Sequence, residues 1–243
     1  MKSSSNLFEF DASFNTPFII GTDEAGRGPG AGGVFASAVY FPNPDSKLIK
    51  QLSSLNDSKK LSKKVREELY DVILENTINS TVCIEVDEIE KINILNSSLK
   101  AMKLACEVVT KEANAAEFMQ NLFQNYASEK TCNPETNSKQ FTENILVLVD
   151  GNKLIKNFDY PQQFIIKGDS KSASIAAASI LAKVSRDRYM QELDKQFPQF
   201  NWKQNAGYLT PEHLRAIEQY GITPHHRKSF LKGRNTKQLS LLS

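Results

Sequence analysis

The chain has 243 residues, of which 40% are hydrophobic and 24% charged, and its formal net charge is +2. This composition is typical of one large globular domain with a sizeable core, and it excludes fibrous and low-complexity proteins. No apolar run approaches the roughly 20 residues of a membrane span or forms a secretory signal, and three widely spaced cysteines exclude a disulfide framework. We therefore expect a reduced, cytoplasmic protein with inert cysteines and no membrane partner.

Strands and helices alternate along the first half of the chain. Residues 1–16 indicate a flexible lead-in, and the β-branched and aromatic residues 17–22 predict a buried strand. A glycine-rich loop follows at residues 23–33, and residues 34–41 predict a second strand. Ser62 is a good N-cap for the helix that comes next.

The second half continues the alternation. Residues 81–86 predict a third strand, and residues 88–109 predict one helix because apolar side chains recur three and four positions apart. The pattern weakens over residues 110–140, where we expect a surface insertion rather than a new domain. Two more strands and two more helices are predicted at 144–149, 163–166, 170–196 and 211–219. This order predicts a three-layer α/β domain with a helical C-terminal part.

Carboxylates stand at the ends of three predicted strands, as Asp23-Glu24, Asp150 and Asp169. In open α/β sheets such ends meet in one crevice, where converging acids would repel one another without a cation. Carboxylate oxygens suit hard ions such as Mg²⁺, and two ions about 3.5–4 Å apart serve in-line displacement at phosphorus. The same acids are equally typical of ordinary turns.

The glycine-rich run GRGPGAGG at residues 26–33 allows a second interpretation. Its backbone N–H groups could cradle a phosphate, or its glycines could serve a tight turn. It lacks the Gly-Lys-Ser/Thr ending of a P-loop, which disfavours nucleotide triphosphate binding. The residues alone indicate metal-dependent phosphate chemistry and go no further.

The C-terminal region is basic. From residue 201 onward the chain has seven Lys or Arg residues and two Glu residues, a net charge of +5. This is a candidate surface for a polyanion such as nucleic acid. An ordinary basic helix and tail would explain the same charge.

The run GTDEAGRGP at residues 21–29 resembles the N-terminal signature of the ribonuclease HII family. Further blocks resemble that family in the same order. They are 57–62 (DSKKLS), 92–95 (INIL), 149–152 (VDGN), 167–170 (KGDS), 175–183 (IAAASILAK), 186–188 (RDR), 207–210 (GYLT) and 223–230 (TPHHRKSF). So many ordered motifs, from about Phe18 to Phe230, indicate membership rather than chance agreement.

The resemblance implies an RNase H-like fold, which is a mixed central sheet flanked by helices with a helical C-terminal extension. It divides the chain into a catalytic domain (17–200), a substrate-binding part (201–236) and a tail (237–243). The implied enzyme is a monomeric endonuclease that hydrolyses the RNA strand of RNA–DNA hybrids. It would also incise DNA duplexes 5′ of embedded ribonucleotides, leaving 3′-OH and 5′-phosphate ends.

The resemblance also implies roles for individual residues. Asp23, Glu24, Asp150 and Asp169 match the four catalytic acids, which hold two Mg²⁺ or Mn²⁺ ions during catalysis. These are the same acids that stand at the predicted strand ends. The implied substrate contacts are Gly26, Arg27 and Gly28 at the ribonucleotide 2′-OH, Tyr208 on the sugar, and Lys59, Ser170 and Lys171 at phosphates.

Three polar residues near these motifs have simpler explanations. Asp187 lies about five helical turns beyond Asp169 on the same predicted helix, so we expect an ion pair rather than a catalytic role. His225 and His226 have the side chains of metal ligands, but we expect them to pack or to contact phosphate.

The chain departs from the family pattern in three places. Asn205 and Ala206 stand where basic residues are usual, which predicts weaker contact with the substrate backbone. Gly30 and Gly33 replace bulkier residues, which predicts a looser loop. The connection over 110–140 is longer than usual.

Three other readings are disfavoured. Intact acids argue against a nucleic-acid-binding module without catalysis, and the order of the blocks argues against a nucleotidyltransferase or NTPase. The related ribonuclease HIII carries an N-terminal substrate-binding domain, for which the strand beginning near Phe18 leaves no room.

The last residues suggest a partner. Gln238–Leu242 (QLSLL) resembles the short peptide by which bacterial proteins bind the sliding clamp. A leucine-rich tail or a short terminal helix is the alternative.

Overall fold

The computed structural model describes residues 5–55, 61–128 and 144–232, and for 117–128 it describes the backbone alone. The strands are β1 (Phe18–Ala25), β2 (Val34–Tyr40), β3 (Ile78–Ile84), β4 (Ile145–Asp150) and β5 (Gln162–Ile165). They form one sheet in the order β3-β2-β1-β4-β5. Strand β2 is antiparallel to both β1 and β3, whereas β4 runs parallel to both β1 and β5. The sheet is therefore mixed, as expected.

Helices cover both faces of the sheet. They are α1 (Ser5–Ala12), α2 (Ser46–Gln51), α3 (Lys63–Asn76), α4 (Val86–Ile92), α5 (Ile94–Ser128), α6 (Ala173–Gln196), α7 (Trp202–Asn205), α8 (Pro211–Tyr220) and α9 (Lys228–Leu231). Helix α5 packs on one face with apolar residues of β1, β2 and β4. Helix α6 packs on the other face together with α1 and α3. These layers confirm the α/β class predicted from the sequence.

The C-terminal helices form a smaller core of their own. This core contains Phe200, Trp202 of α7 and Ile217 of α8, which are buried against Met190 and Leu193 near the end of α6. Long helix α6 thus connects the sheet to a helical extension, as the sequence predicted.

Local signals located the helix starts well. The Ser62 side chain accepts a hydrogen bond from the Val65 N–H and begins α3, and Thr210 accepts one from the His213 N–H and begins α8. Both caps satisfy amides that have no partner inside the helix. None of the helices in the described segments is long and apolar enough to cross a membrane.

Four expectations need correction. Residues 5–12 of the supposed flexible lead-in form helix α1, because Leu7 and Phe8 are buried. The helix predicted over 88–109 is broken at Asn93, whose φ is 67°, and beyond the break helix α5 continues through the proposed insertion as far as Ser128. The third strand begins and ends earlier than predicted. Finally, β1 extends to Ala25, where its pairing with β2 still holds.

Candidate active site

The longer β1 places the first two acids inside a strand rather than after it. Asp23 and Glu24 pair with Ser37 and Ala36 of β2. Asp23 is 6% exposed, and its Oδ1 accepts a hydrogen bond from the Glu24 backbone N–H at 2.7 Å. The Ser179 side chain of α6 also hydrogen-bonds to it. Sheet and helix therefore fix this carboxyl group from two sides.

Asp23 lies close to other acidic side chains. Burial, followed by the negative charges of Glu24 and Asp150, raises the pKa of Asp23 well above its usual range. Arg27 offsets part of this charge through an ion pair with Glu24, with Nη1 and Oε1 3.1 Å apart. The three carboxyl groups thus interact electrostatically, and the repulsion favours a bound cation.

The other two acids lie at the ends of the next two strands of the sheet, β4 and β5. Asp150 ends β4, and Asp169 follows β5 on a 3₁₀ turn, Gly168–Ser170, where it is 7% exposed. The Gly168 N–H donates to Asp150 Oδ1 at 2.6 Å. This bond connects the segment that carries Asp169 directly to Asp150.

The donor set suits a hard divalent cation, because it consists of carboxylate oxygens and a cation would relieve the repulsion at Asp23. Within the described part of the chain, no group of three or more acid, His or Cys side chains is already arranged to enclose an ion. The carboxyl groups of Asp23, Glu24 and Asp150 are therefore near enough to interact electrostatically but do not by themselves form a closed set of ligands.

The glycine loop over residues 26–33 lies against Tyr208. A Cβ on Gly28 would approach the Tyr208 ring to 3.3 Å, and that ring is 53% exposed. Gly26 has φ +98°, and a side chain there would collide with the Arg186 guanidinium. Only glycine fits this backbone conformation without strain. The loop and the tyrosine are thus brought together beside the end of β1.

The glycine loop is tightly held. A Cβ at Gly30 would meet Leu209 at 2.5 Å, and one at Gly33 would meet the Cys83 sulfur at 2.6 Å. The Gly30 N–H donates to the Gly207 carbonyl at 2.9 Å. The prediction that these two glycines loosen the loop is wrong, because they allow close packing instead.

The chain matches the family model described as Ribonuclease HII over residues 20–233. It belongs to the ribonuclease HII family. Ribonuclease HII of Rickettsia canadensis is 41% identical over 225 residues, which cover 93% of this chain and 95% of that protein. Ribonuclease HII of Rickettsia bellii is 42% identical over 227 residues, covering 93% and 96%. This chain is accordingly a ribonuclease H enzyme, and its family hydrolyses the RNA strand of RNA–DNA hybrids.

Solved structures agree on the fold. The ribonuclease HII in the PCNA:RNase HII complex of Archaeoglobus fulgidus superposes with a TM-score of 0.57 at 22% identity, covering 86% of this chain and 93% of that one. Bst-RNase HIII in complex with Mn²⁺ gives 0.57 at 16% identity, covering 90% and 65%. At these identities the likeness shows the fold alone, which is the RNase H-like architecture expected from the sequence.

Two buried arginines support the ribonuclease HII glycine loop, and the sequence analysis missed both. Arg227 is fully buried and donates to the Gly32 carbonyl from Nε and Nη2 at 2.9 and 2.7 Å, and to the Pro29 carbonyl at 2.9 Å. Arg186, 2% exposed, donates to the carbonyls of Ala31, Gly33 and Ala206 at 3.1–3.2 Å. Both arginines lie inside family blocks, 186–188 (RDR) and 223–230 (TPHHRKSF), and this position was the sequence signal that could have identified them.

A chain of buried hydrogen bonds lies behind Tyr208. His213 Nδ1 is 2.9 Å from the Tyr208 carbonyl and therefore carries a proton. Its Nε2 accepts from Trp202 Nε1 at 3.0 Å and faces His226 Nε2 at 3.1 Å, so His226 donates there. His226 Nδ1 in turn accepts from the Thr223 N–H at 2.9 Å. This assignment makes both histidines neutral.

Electrostatics agree with that assignment. Burial, reinforced by the neighbouring His213, lowers the pKa of His226 to about 3, and burial also lowers the pKa of His213. The expectation that His225 and His226 pack against neighbouring side chains is confirmed. His226 is buried, and His225 packs edge-on against the Phe197 ring.

The remaining predicted residues have varied surroundings. Asp187 forms the expected ion pair with Lys183, 2.6 Å away, and lies 4.0 Å from Arg66. The Ser170 hydroxyl donates to the Lys167 carbonyl at 2.9 Å, and Lys171 is exposed beside it.

Asn205 and Ala206, the residues that depart from the family pattern, determine the backbone conformation before Tyr208. Asn205 Oδ1 accepts from the Gly207 N–H at 2.8 Å, and Ala206 has φ +50°. Lys59 and the tail Gln238–Leu242 lie outside the described residues. Of the cysteines in the described ranges, Cys106 is buried, and burial raises its pKa to about 12, which fits an inert thiol.

Proposed function

We propose that this ribonuclease H also incises DNA duplexes on the 5′ side of a single embedded ribonucleotide, leaving 3′-OH and 5′-phosphate ends. The observation that supports this is the contact between Gly28 and the exposed ring of Tyr208, beside the strand that carries Asp23 and Glu24. A substrate sugar seated there would lie next to the acids.

Recognition is assigned to the glycine loop and Tyr208. The 2′-OH is the group that separates RNA from DNA, and Gly26 and Gly28 leave backbone groups free of side chains for a close approach to it. Arg27 would add a cation at the same place. The Tyr208 ring would pack on the sugar, so that all-DNA duplex lacks the deciding contact.

Catalysis is assigned to Asp23, Glu24, Asp150 and Asp169, which would hold two Mg²⁺ or Mn²⁺ ions. Bound there, the metal would lower the pKa of the attacking water and neutralise charge at the phosphate. Ser179 keeps Asp23 oriented, and the Gly168 N–H keeps Asp150 oriented, so each carboxylate could bind a metal ion without rearranging its neighbours. A structural relative, Bst-RNase HIII, was solved in complex with Mn²⁺.

Phosphate contacts are assigned to Lys59, Ser170, Lys171 and the basic C-terminal part over 201–236. Lys171 is exposed within two residues of Asp169, where the backbone of a bound strand would pass. Electrostatic contacts of this kind supply most of the affinity for duplexes. The catalytic part would thus span 17–200 and the added helices would widen the binding surface.

The test is cleavage of a DNA duplex with one ribonucleotide in the presence of Mg²⁺, Mn²⁺ or EDTA. We expect a single cut 5′ of the ribonucleotide with either metal, none with EDTA, and none in all-DNA duplex. Cleavage of long hybrids together with failure on the single-ribonucleotide duplex would contradict the proposed specificity.

A second proposal concerns the tail. Gln238–Leu242 would bind the sliding clamp, with the leucines in an apolar groove and Gln238 as a polar anchor. The Archaeoglobus fulgidus relative was solved in a complex with PCNA. Binding through so short a peptide would be weak, but it would raise the local enzyme concentration on copied DNA.

The clamp proposal is tested by measuring clamp binding of the full chain and of a chain ending at Lys237. Only the full chain should bind, and both should cleave naked substrate equally. Equal affinity of the two chains would remove the proposal.

A further inference from the structure

The N-terminal helix α1 carries a buried acid that has no place in the site described above. Helix α1 precedes residue 20, where the match to the family model begins. Its Leu7 and Phe8 are buried in the same core cluster as Ala173 and Ala177 of α6. Asp11, near the end of α1, is only 8% exposed. Docking of the helix therefore buries a carboxyl group next to α6.

Asp11 binds the first turn of α6. Its Oδ2 accepts from the Ser174 backbone N–H at 2.9 Å and from the Ser174 hydroxyl at 2.8 Å. The Ser172 hydroxyl and the Ala173 backbone N–H lie near enough to this carboxyl group to lower its pKa. Ser172 itself caps the Ile175 N–H at 3.2 Å. Asp11 thus satisfies the Ser174 amide and Ser172 the Ile175 amide, neither of which has a partner inside the helix.

The same turn is continuous with the segment that carries Asp169. The Ser172 N–H donates to the Gly168 carbonyl at 2.9 Å, and the Gly168 N–H donates to Asp150 at 2.6 Å. Only two residues separate Asp169 from Ser172. A shift of the first turn of α6 would therefore move Asp169 relative to Asp150.

Strand β1 meets this turn from the other side. A side chain at Gly21 would collide with the backbone of Ser174 and Ile175, so the strand and the helix are in direct backbone contact there. Gly21 lies two residues before Asp23. The first turn of α6 consequently lies between the acid of β1 and the acid that follows β5.

Asp11 is an unfavourable group for stability alone. Its Oδ1 is buried without a hydrogen-bond partner among the described residues, and burial raises its pKa. A buried polar atom that lacks a partner costs free energy, which an apolar residue would avoid. Local violations of this kind are expected near functional sites.

We propose that Asp11 is a positioning residue for the metal site, which holds Asp169 at the correct spacing from Asp23 and Asp150 by capping the first turn of α6. The proposal rests on the proposed metal-binding role of these acids. The hydrogen bonds of Asp11 go to the first turn of α6, so it acts through the backbone of residues 168–174.

The experiment is calorimetric titration of the full chain with Mn²⁺, with the melting temperature measured for each variant. Asp11→Ala should raise the Mn²⁺ dissociation constant about 10-fold, as loss of a residue that orients metal ligands commonly does. Asp11→Asn keeps one acceptor oxygen and should raise it less. Glu9→Ala removes the same charge from an exposed position of α1 and should leave it unchanged.

Leu7→Ala distinguishes positioning from stability. It removes buried apolar volume from the same helix, lowering the melting temperature, but leaves the contacts of Asp11 in place. We expect unchanged Mn²⁺ affinity in this variant. If Leu7→Ala weakens Mn²⁺ binding as much as Asp11→Ala does, the inference is overturned. Should Asp11→Ala fail to fold, the same comparison is made with Asp11→Asn.

Asp169→Asn separates this inference from the proposed metal site. If Asp169→Asn loses Mn²⁺ binding while Asp11→Ala binds like the unaltered chain, only the role of Asp11 is refuted. If Asp169→Asn also binds like the unaltered chain, the proposed metal site fails, and the role of Asp11 fails with it.

Discussion

The proposed catalytic acids and the glycine loop differ in how their buried charges are compensated. Arg186 and Arg227 are buried cations, and their guanidinium groups donate to backbone carbonyls that the loop and its surroundings hold in place. Asp23 is a buried acid beside two other acids, and burial, followed by their repulsion, raises its pKa. The charges of the buried arginines are thus compensated within the chain, whereas the proposed metal site would compensate the acids with an added cation. We expect the loop to be preformed and the acid cluster to be completed by metal.

The largest expected effect comes from removing one acid. Asp169→Asn should reduce cleavage more than about 100-fold, since a lost metal ligand removes several kcal/mol of transition-state stabilisation. Duplex affinity should remain, because phosphate contacts supply it. Single-turnover cleavage and a binding assay at fixed salt measure the two effects.

Asp187→Asn is the matched control, since this acid pairs with Lys183 away from the acid cluster. It should retain most activity. A dead Asp187→Asn enzyme beside an active Asp169→Asn enzyme would contradict the site assignment.

The next effect tests the preformed loop. Arg227→Met leaves the carbonyls of Gly32 and Pro29 without their donors, so the free energy of unfolding should fall by about 3 kcal/mol. Urea unfolding measures this loss. Arg215→Met, which removes an exposed arginine paired with Glu212, should change stability by less than about 0.5 kcal/mol. Similar losses in both variants would show that the buried arginine does not support the loop.

The buried histidines make stability depend on pH. Burial lowers the pKa of His226 to about 3, below the ordinary value near 6.5, so the unfolded chain binds a proton that the folded chain does not. The contribution of His226 to the free energy of unfolding should therefore be greatest above about pH 6.5 and fall with acidification, by about 2 kcal/mol at pH 5.

Urea unfolding at pH 7 and pH 5 checks this dependence. His226→Gln should show a smaller difference between the two pH values than the unaltered chain. His225→Gln, which lies outside the hydrogen-bond chain behind Tyr208, should keep the full difference. An unchanged difference in His226→Gln would contradict the neutral assignment.

The smallest effect concerns the sugar contact. Tyr208→Ala should lower cleavage of the single-ribonucleotide duplex about 10-fold, since aromatic contacts with nucleotides contribute roughly 1–3 kcal/mol. Cleavage of long hybrids should change less, because many ribonucleotides are available there. Tyr220→Ala removes an equally exposed tyrosine from the end of α8 and serves as the control. Equal losses on both substrates would argue against a role at the junction.

Local sequence signals predicted the helix starts and the candidate acids. Ser62 and Thr210 cap helices as predicted, because capping depends on a few neighbouring residues. The four acids were identified twice, by their places at strand ends and by the family motifs. The break at Asn93 was missed because the apolar spacing of three and four continues across it, while a single residue with φ 67° redirects the chain.

The sequence by itself determined the fold class, the order of the five strands and the candidate acids, since periodicity, caps and motifs depend on neighbouring residues. Tertiary structure alone decided the roles of Arg186, Arg227 and Asp11. A charged side chain is buried only where other segments supply its partners, and here all the hydrogen-bond partners except Ala206 lie more than 150 residues away. For Asp11 the partner is the first turn of α6, and for Arg227 it is the glycine loop, which no local pattern reveals.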